Sequence, residues 1–361
     1  MKVTCLQANL NQGLKVVDGA VSSRSLLPIT GNILISAEHG QLRLTATNLE
    51  ITTSCRVAAK VEEDGAITIP AKVLIGFVDT LPNERIDLVL RNKVLDFECA
   101  RFKTSISGVD ANEFPPLPTT GGDISTKIGA EQLRQGIKQV IFAVAKEGTR
   151  PVLTGVNVRL NNSGIALVAA DSFRLAVYKA STDQSIEQPV DVIVPATALV
   201  ELSRLLPDDM VDIAIGHNQI IFRAKDIQLI SQLIQGKFPD YEHLIPKEHN
   251  TRVIAEKGEL LRAIKASLFF AEDAIKMTVD NDGITVSSNN EEIGENTTDI
   301  DAIVEGDGIE IGFNGKFLTD VLNALNSPKV VIDMNGPLST VRIGSMGMDN
   351  YIYCVQPMVL R

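Results

Sequence analysis

The sequence has few of the residues that build disulfide frameworks and metal centres, with only 4 cysteines and 4 histidines among 361 residues. The cysteines lie far apart inside strand-like runs, which predicts buried free thiols in a reducing cytoplasm; they are Cys5, Cys55, Cys99 and Cys354. The histidines fall in predicted turns or linkers, and none has a partner at metal-ligand spacing. We therefore expect no metal and no cofactor.

Long apolar runs are also missing. No stretch approaches the roughly 20 residues that a membrane-spanning helix needs, and the N-terminus lacks the apolar core of a signal peptide. The composition, 44% hydrophobic and 22% charged without low-complexity segments, is that of a globular protein. These features predict a cytoplasmic protein without a membrane partner.

Catalytic motifs are absent as well, since neither a phosphate-binding loop nor a nucleophile elbow occurs. Residues 280–283 resemble the start of a calcium loop, but their glycine is at position four instead of six. A hairpin turn between two strands explains this segment better. We therefore predict no catalytic residues.

What the sequence does contain is one pattern repeated three times. An amphipathic helix start recurs at 10–15, 133–138 and 260–265. A strand that runs into a helix and ends near a proline recurs at 69–82, 194–207 and, more weakly, 312–328. A proline closes each copy, at Pro115, Pro239 and Pro357. A period near 120 residues is the size of a domain, so we predict domains at 1–122, 123–250 and 251–361.

Each copy is predicted to contain a short strand, a helix, several alternating strands, a second helix and more strands. Strands outnumber the short helices, which is typical of an α+β fold with antiparallel sheets. The six predicted helices together carry a charge of +4, although the whole chain carries −11; they span 7–24, 71–80, 129–147, 196–206, 257–270 and 315–325. This distribution favours basic helices along one surface of an acidic protein.

The chain resembles the bacterial DNA polymerase sliding clamp family, the β subunit of the replicative polymerase, over its whole length. The segments that carry this resemblance are 24–32, 170–176, 236–241, 313–325 and 356–358. The resemblance implies three DNA-clamp domains with antiparallel sheets outside and paired helices inside, which form a ring as a head-to-tail homodimer. Such a ring encircles duplex DNA without reading its sequence and serves DNA replication as a processivity factor.

The partners implied by this resemblance are the catalytic subunit of the replicative polymerase, the clamp loader, and repair and translesion polymerases. They would bind through short linear peptides in a groove between the second and third domains. By resemblance, the groove residues are Leu153, Ala170, Ser172, Phe173, Arg174, Leu175, Pro239, His243, Leu244, Thr340, Val355, Pro357, Met358 and Leu360. Leu175, Val355 and Met358 would supply an apolar socket for the peptide's Leu and Phe.

The resemblance also implies a weakly basic DNA lumen. Its candidate residues are Arg24, Lys72, Lys138, Arg150, Arg204, Arg262, Lys265, Lys276 and Lys316. The dimer contact would involve Phe102 of the first domain with Leu268 and Phe269 of the third.

Two features depart from the family pattern. Ser172-Phe173 stands where the family often has Gly-His or Gly-Tyr, and the chain ends Val359-Leu360-Arg361 where Arg-Leu is the commoner ending. Two other classes of protein compete with the clamp: a monomeric three-domain interaction scaffold, and an enzyme with a site between domains. The repeat disfavours the enzyme because catalytic residues would have to break the symmetry.

Overall fold

The computed structural model describes residues 1–22, 27–117, 124–146, 150–183, 189–271 and 274–360. In these ranges the α-helices are α1 Gln7–Val17, α2 Ala71–Thr80, α3 Ala130–Val140, α4 Ala196–Leu205, α5 Lys257–Ser267 and α6 Gly315–Ala324. All six predicted helices are therefore confirmed. The first, third and fifth end earlier than predicted. The first and third are followed by 3₁₀ turns at Asp18–Ala20 and Ile141–Ala143.

The strands follow the repeat. In the first copy they are β1 Lys2–Leu6, β2 Asn32–Glu38, β3 Gln41–Thr47, β4 Ile51–Val57, β5 Ala59–Glu63, β6 Gly65–Pro70, β7 Arg85–Arg91, β8 Val94–Cys99, β9 Phe102–Ser107 and β10 Val109–Asp110. In the second they are β11 Ile124–Gly129, β12 Gly155–Asn161, β13 Gly164–Ala170, β14 Arg174–Ala180, β15 Val190–Pro195, β16 Met210–Ile215, β17 Gln219–Ala224 and β18 Ile227–Gln232. In the third they are β19 Thr251–Glu256, β20 Ile275–Asp280, β21 Gly283–Asn290, β22 Gly294–Ile300, β23 Ala302–Gly306, β24 Ile309–Phe313, β25 Lys329–Met334, β26 Val341–Ser345 and β27 Met348–Val355.

The first helix of each copy packs an apolar stripe onto a sheet. In α1 the stripe is Leu10, Leu14 and Val17, all fully buried, at the spacing that places residues on one helix face. Gly13 lies within this stripe because a Cβ there would come within 2.7 Å of Val57. The corresponding Gly136 of α3 would meet the ring of Tyr178 at 2.5 Å. The glycine in the repeated helix motif therefore allows helix and sheet to approach closely.

The chain divides into two compact units. The first comprises residues 1–131 and 197–233. It contains a five-stranded sheet of order β5-β1-β7-β8-β9 and a nine-stranded sheet of order β10-β6-β2-β3-β4-β18-β17-β16-β11. At the centre of the larger sheet, β4 of the first repeat pairs with β18 of the second, with Ser54 opposite Gln228. One sheet therefore continues from the first repeat into the second.

The second unit comprises residues 132–196 and 234–361. Its nine-stranded sheet has the order β15-β12-β13-β14-β27-β26-β25-β19-β23, and its four-stranded sheet the order β22-β21-β20-β24. Here β14 of the second repeat pairs with β27 of the third, with Val177 opposite Ile352. This junction corresponds strand for strand to the one in the first unit.

A turn at equivalent positions confirms the threefold repeat. Asn48, Asp171 and Asn290 precede β4, β14 and β22, and each accepts hydrogen bonds through Oδ1 from the backbone N–H groups two and three residues further on. All strand pairs between the named strands are antiparallel, as the α+β prediction required. The predicted hairpin at 280–283 is also confirmed, since β20 ends at Asp280 and β21 begins at Gly283.

Two further expectations concern cysteines and membranes. All four cysteines are buried and free. In the parts of the chain that the structure describes, no helix combines the length and apolar character needed to cross a bilayer. The predicted domain boundaries after residues 122 and 250 stay predictions.

Candidate functional site

In the second unit, a tight turn presents an aromatic side chain beside the junction of β14 and β27. Asp171 closes the turn by accepting from the backbone N–H of Phe173 (2.7 Å) and of Arg174 (2.9 Å). Phe173 is 60% exposed. The backbone N–H of Gln356 donates to the carbonyl of Phe173 (2.8 Å), which ties the C-terminal segment to the turn.

Arg174 starts β14 and is buried, with only 5% of its side chain exposed. Its Nη1 donates to Asp320 of α6 (2.7 Å), and its Nε donates to Asp171 (3.0 Å). The guanidinium carbon lies 4.3 Å from the ring centre of Phe317, a cation–π geometry. Burial alone would lower the pKa of Arg174, but its hydrogen bonds to Asp320 and Asp171 raise it overall. Arg174 therefore connects the second and third repeats.

On the other face of this sheet lies an apolar cluster. Leu153 and Leu175 pack there with Phe238 and Tyr241, and Ala170 borders them. Tyr241 is held by the guanidinium of Arg159, which lies 4.7 Å from the ring centre. Burial raises the pKa of the Tyr241 hydroxyl, and the charge of Arg159 opposes that effect.

The segment after Phe238 extends the apolar surface into solvent. Pro239 and His243 are exposed, and Leu244 is 51% exposed at the end of a single 3₁₀ turn. His243 Nδ1 lies 3.8 Å from a carboxylate oxygen of Asp240, and both side chains are well exposed. The predicted residues at 239–244 are thus accessible to a partner.

The C-terminal residues run along the edge of β24. The backbone N–H of Met358 donates to the carbonyl of Gly312 (2.8 Å), and a Cβ at Gly312 would lie 2.8 Å from Leu360. Pro357 is buried, and Thr340 Oγ1 is hydrogen-bonded to the amide oxygen of Gln356 (3.1 Å). Leu360 lines a polar groove of about 510 Å³ over β20, β21, β22 and β24.

The structure brings most of the predicted groove residues into one unit, but not onto one face. Val355 lies directly opposite Arg174, whereas Leu175 lies opposite Cys354. Since neighbouring residues of a strand point to opposite faces, Leu175 and Val355 are separated by the sheet. The three-residue socket of Leu175, Val355 and Met358 is therefore not formed as one surface.

Two residues of α6 belong to this site and were missed. Phe317 stacks at 6.5 Å from Phe173, and Asp320 holds Arg174. They lie three residues apart and so share one helix face. That spacing, near the start of a helix in a segment already recognised, was the signal that could have identified them.

The predicted lumen residues occupy different settings. Arg24 lies outside the described residues. Exposed helix positions hold Lys72, Lys138, Arg262, Lys265 and Lys316, and Arg150 is exposed in a loop. Lys276 instead lies on β20, 3.3 Å from a carboxylate oxygen of Glu310.

Arg204 of α4 is engaged within the first unit. It donates to the carbonyls of Lys15 (3.0 Å) and Val16 (3.3 Å) at the end of α1, where orphan carbonyls need donors. It also pairs with Glu201, whose hydrogen bond raises the pKa of Arg204. Lys15 itself was missed, although the repeated motif aligns it with Lys138 and Lys265; it is exposed, 3.4 Å from Asp79.

Three repeats of this topology, each with two helices and antiparallel sheets, define the class of DNA-clamp proteins. The DNA polymerase III beta subunit matches along the chain, as its N-terminal domain at residues 1–118, its central domain at 127–240 and its C-terminal domain at 242–359. The beta sliding clamp of Synechococcus elongatus is 32% identical over 100% of both chains, and that of Bacillus subtilis is 30% identical over 99% of both.

Solved structures with a similar fold belong to the same family. The DNA polymerase sliding clamp of Bacillus subtilis and the DNA polymerase III subunit beta of Pseudomonas aeruginosa are both 30% identical, cover 100% of each chain and give TM-scores of 0.96. The chain belongs to the DNA polymerase III beta subunit family, the bacterial sliding clamps. This family comprises replication processivity factors and not enzymes, so the sequence-based prediction of a non-enzymatic clamp is confirmed.

Proposed function

We propose that two copies of this chain close head to tail into a ring around duplex DNA and tether polymerases there. The observation that supports this proposal is that strands join the first repeat to the second and the second to the third, while the corresponding strands of the third and first repeats have no partner strand on one side within the part of the chain that the structure describes. The first and second repeats join through β4 and β18, and the second and third join through β14 and β27. The strand of the third repeat that corresponds to β4 and β14 is β22, and the strand of the first that corresponds to β18 and β27 is β9. Both lie at sheet edges.

The register of the missing junction follows from the repeat. Val57, Ala180 and Ile300 are equivalent, because each lies opposite the second residue of the preceding strand, β3, β13 or β21. Ser54 and Thr297 lie three residues before Val57 and Ile300, so they are equivalent as well. In the same way, Ile227 begins β18 opposite Ala224 and Phe102 begins β9 opposite Cys99, so the next residues, Gln228 and Lys103, are equivalent. Because Ser54 lies opposite Gln228, Thr297 would lie opposite Lys103 of the second copy.

Charge and apolar exposure support this register. Asp299 would then face Arg101 of the second copy, and Arg56 and Asp226 form an ion pair at the equivalent place in the first unit, at 3.0 Å. The same register places Thr298 opposite Phe102, which is 48% exposed in the free chain. Phe269, which follows α5, is 77% exposed. A second copy would cover such aromatic side chains, as in obligate dimers.

The first test is the native mass. Light scattering should give twice 39.0 kDa. A chain that stays monomeric as its concentration rises would favour the alternative of a monomeric scaffold, and would remove topological binding to DNA.

The register is tested by paired cysteines. Lys103→Cys with Thr297→Cys should oxidise to a covalent dimer, because all four natural cysteines are buried. The control pair, Arg101→Cys with Glu295→Cys, is offset by four residues, or about 13 Å, and should not cross-link. The cross-linked ring should stay on circular DNA and slide off linear DNA. Cross-linking by the control pair instead would reject the register.

We also propose that mildly basic helices face the DNA. Exposed lysines at the same helix position in each repeat, Lys15, Lys138 and Lys265, support this. Weak, sequence-independent phosphate attraction suits a ring that slides. Arg24→Glu should weaken loading onto DNA without unfolding the protein; unchanged loading would count against that residue.

The client site of this proposal is the surface around the turn at Phe173, with Leu244 in the segment that follows Phe238 of the apolar cluster and Met358 at the edge of β24. The exposed side chains of Phe173 and Leu244 suit the Leu and Phe anchors of a linear peptide, and the half-buried Met358 adapts to several ligands. The clients would be the polymerase catalytic subunit, the clamp loader, and repair and translesion polymerases. The cytoplasm is the compartment in which these partners act.

A fluorescent peptide with adjacent Leu and Phe tests the site. Phe173→Ala should weaken its binding about thirtyfold, the loss typical of a hot-spot residue, and Met358→Ala should weaken it while leaving the dimer intact. Ile303→Ala is the matched control, since Ile303 is as exposed (58%) in the same unit. An equal loss in the control would refute the site, and loss of the dimer in Met358→Ala would make the tail structural.

A further inference from the structure

A basic depression lies on the nine-stranded sheet of the first unit, on the face away from α1. Cys55 faces α1, where its thiol lies 3.4 Å from the carbonyl of Gly13. Arg56 follows Cys55 in β4 and so points to the opposite face. Arg43 of β3 lies directly across from Arg56. The depression has a volume of about 220 Å³.

The lining is strongly cationic in a chain that carries a net charge of −11. It contains Arg43, Arg56, Arg223 and Lys225, and Asp226 is the single carboxylate among the described lining residues. Asp226 pairs with Arg56 at 3.0 Å. Arg43 makes neither an ion pair nor a hydrogen bond with any residue that the structure describes. Like charges directly opposite on adjacent strands are destabilising, so folding alone does not favour this arrangement.

The repeat supplies an internal comparison for this arrangement. In the second unit, the pair equivalent to Arg43 and Arg56 is Ala166 opposite Lys179. The hairpin turn that contains Lys225, at φ 51°, corresponds to a turn of the first repeat that contains Ala100 at the same position, at φ 49°. The same strands therefore form without Arg43, and the same turn forms without Lys225, while Lys179 keeps a cation at the position of Arg56. Lys225 adopts a conformation that favours glycine, yet the residue there is a lysine.

We propose that this depression binds an acidic segment of a partner protein, with the guanidinium groups of Arg43 and Arg56 holding Asp or Glu carboxylates. Guanidinium matches carboxylate in a bidentate geometry. The volume suits one or two carboxylate side chains rather than a run of nucleotides. None of the described residues that line the depression is aromatic, so these residues offer no stacking platform of the kind found in single-stranded nucleic acid sites.

The probe is a fluorescein-labelled hexaglutamate peptide, whose anisotropy is measured with the full chain and without DNA. Arg43→Ser should weaken binding about tenfold, because one charged hydrogen-bonding group is lost. Lys179→Ser is the matched control and should leave affinity unchanged. Binding should also weaken as salt rises.

Folding of the variant is checked by thermal unfolding. Since Arg43 is exposed and unpaired within the described residues, Arg43→Ser should unfold no earlier than the unsubstituted chain. The peptide should raise the unfolding midpoint of the unsubstituted chain and not that of Arg43→Ser. Equal affinities of the two, or an equal loss in Lys179→Ser, would overturn the proposal. A labelled hexathymidylate that binds more tightly than the peptide, and loses affinity in Arg43→Ser, would identify a nucleic acid site instead.

Discussion

The buried ion pair of Arg174 with Asp320 should govern how firmly the second and third repeats hold together. Removing one partner of a buried ion pair usually costs about 3–5 kcal/mol, because a charge is left buried without compensation. Asp320→Ala would leave Asp171 in place at 3.0 Å, and the Asp320 side chain is already 25% exposed. Both features reduce the loss, so we expect about 2 kcal/mol.

The loss should be local, at the junction of β14 with β27. Hydrogen exchange resolves it, since the amides of these strands should exchange about thirtyfold faster in Asp320→Ala, while those of the first unit keep their rates. Glu256→Gln is the matched control: its ion pair with Lys329, at 3.8 Å in the same unit, has both side chains about half exposed. It should change exchange less than about threefold. Similar rates at the junction in the two variants would refute the claim that Arg174 connects the repeats.

Two further predictions concern helix packing and pH. Gly136→Ala should destabilise the second unit by about 1–3 kcal/mol in urea unfolding, because the new Cβ meets the Tyr178 ring. Gly76→Ala should instead stabilise α2 by about 0.5–1 kcal/mol, because among the described residues only chain neighbours and the backbone of its own helix come within 4 Å of the new Cβ. Destabilisation by both substitutions would contradict the packing argument. Hydrogen bonds from Lys2 and then Lys60 lower the pKa of Glu62 from 4.5 to about 2. The stability it contributes is therefore present above pH 4.5 and is lost as the pH falls toward about 2. Carbon NMR should show that midpoint rising toward 4.5 when both lysines are replaced by methionine, and an unchanged midpoint would show that these contacts do not exist in solution.

The sequence predicted the helices well because their signals are local. Leu10, Leu14 and Val17 mark the buried face of α1 by spacing alone. The antiparallel α+β class followed from the alternation of short strands. Partner strands could not be identified this way, since β4 finds β18 some 170 residues further along the chain, and no local pattern records so distant a pairing.

The site was predicted less completely, for the same reason. Resemblance placed Arg174 in a peptide groove, but its burial depends on Asp320 and Phe317, which belong to another repeat. Leu175 and Val355 looked like parts of one socket because both are apolar. Only the register of β14 with β27 shows that they face opposite sides.

The distance along the chain between the strands of each junction determines when they can pair during synthesis on the ribosome. β4 ends at Val57, and its partner β18 ends at Gln232. At the usual 5–20 residues per second, β4 waits about 10–35 s for its partner to be made. During that time an edge strand is open to other nascent chains. The composition of β4 protects it during this interval, since it includes Thr52, Thr53, Ser54 and Arg56. Polar or charged side chains disfavour pairing of an edge strand with strands of other chains. β14, which ends at Ala180, waits in the same way for β27, which ends at Val355.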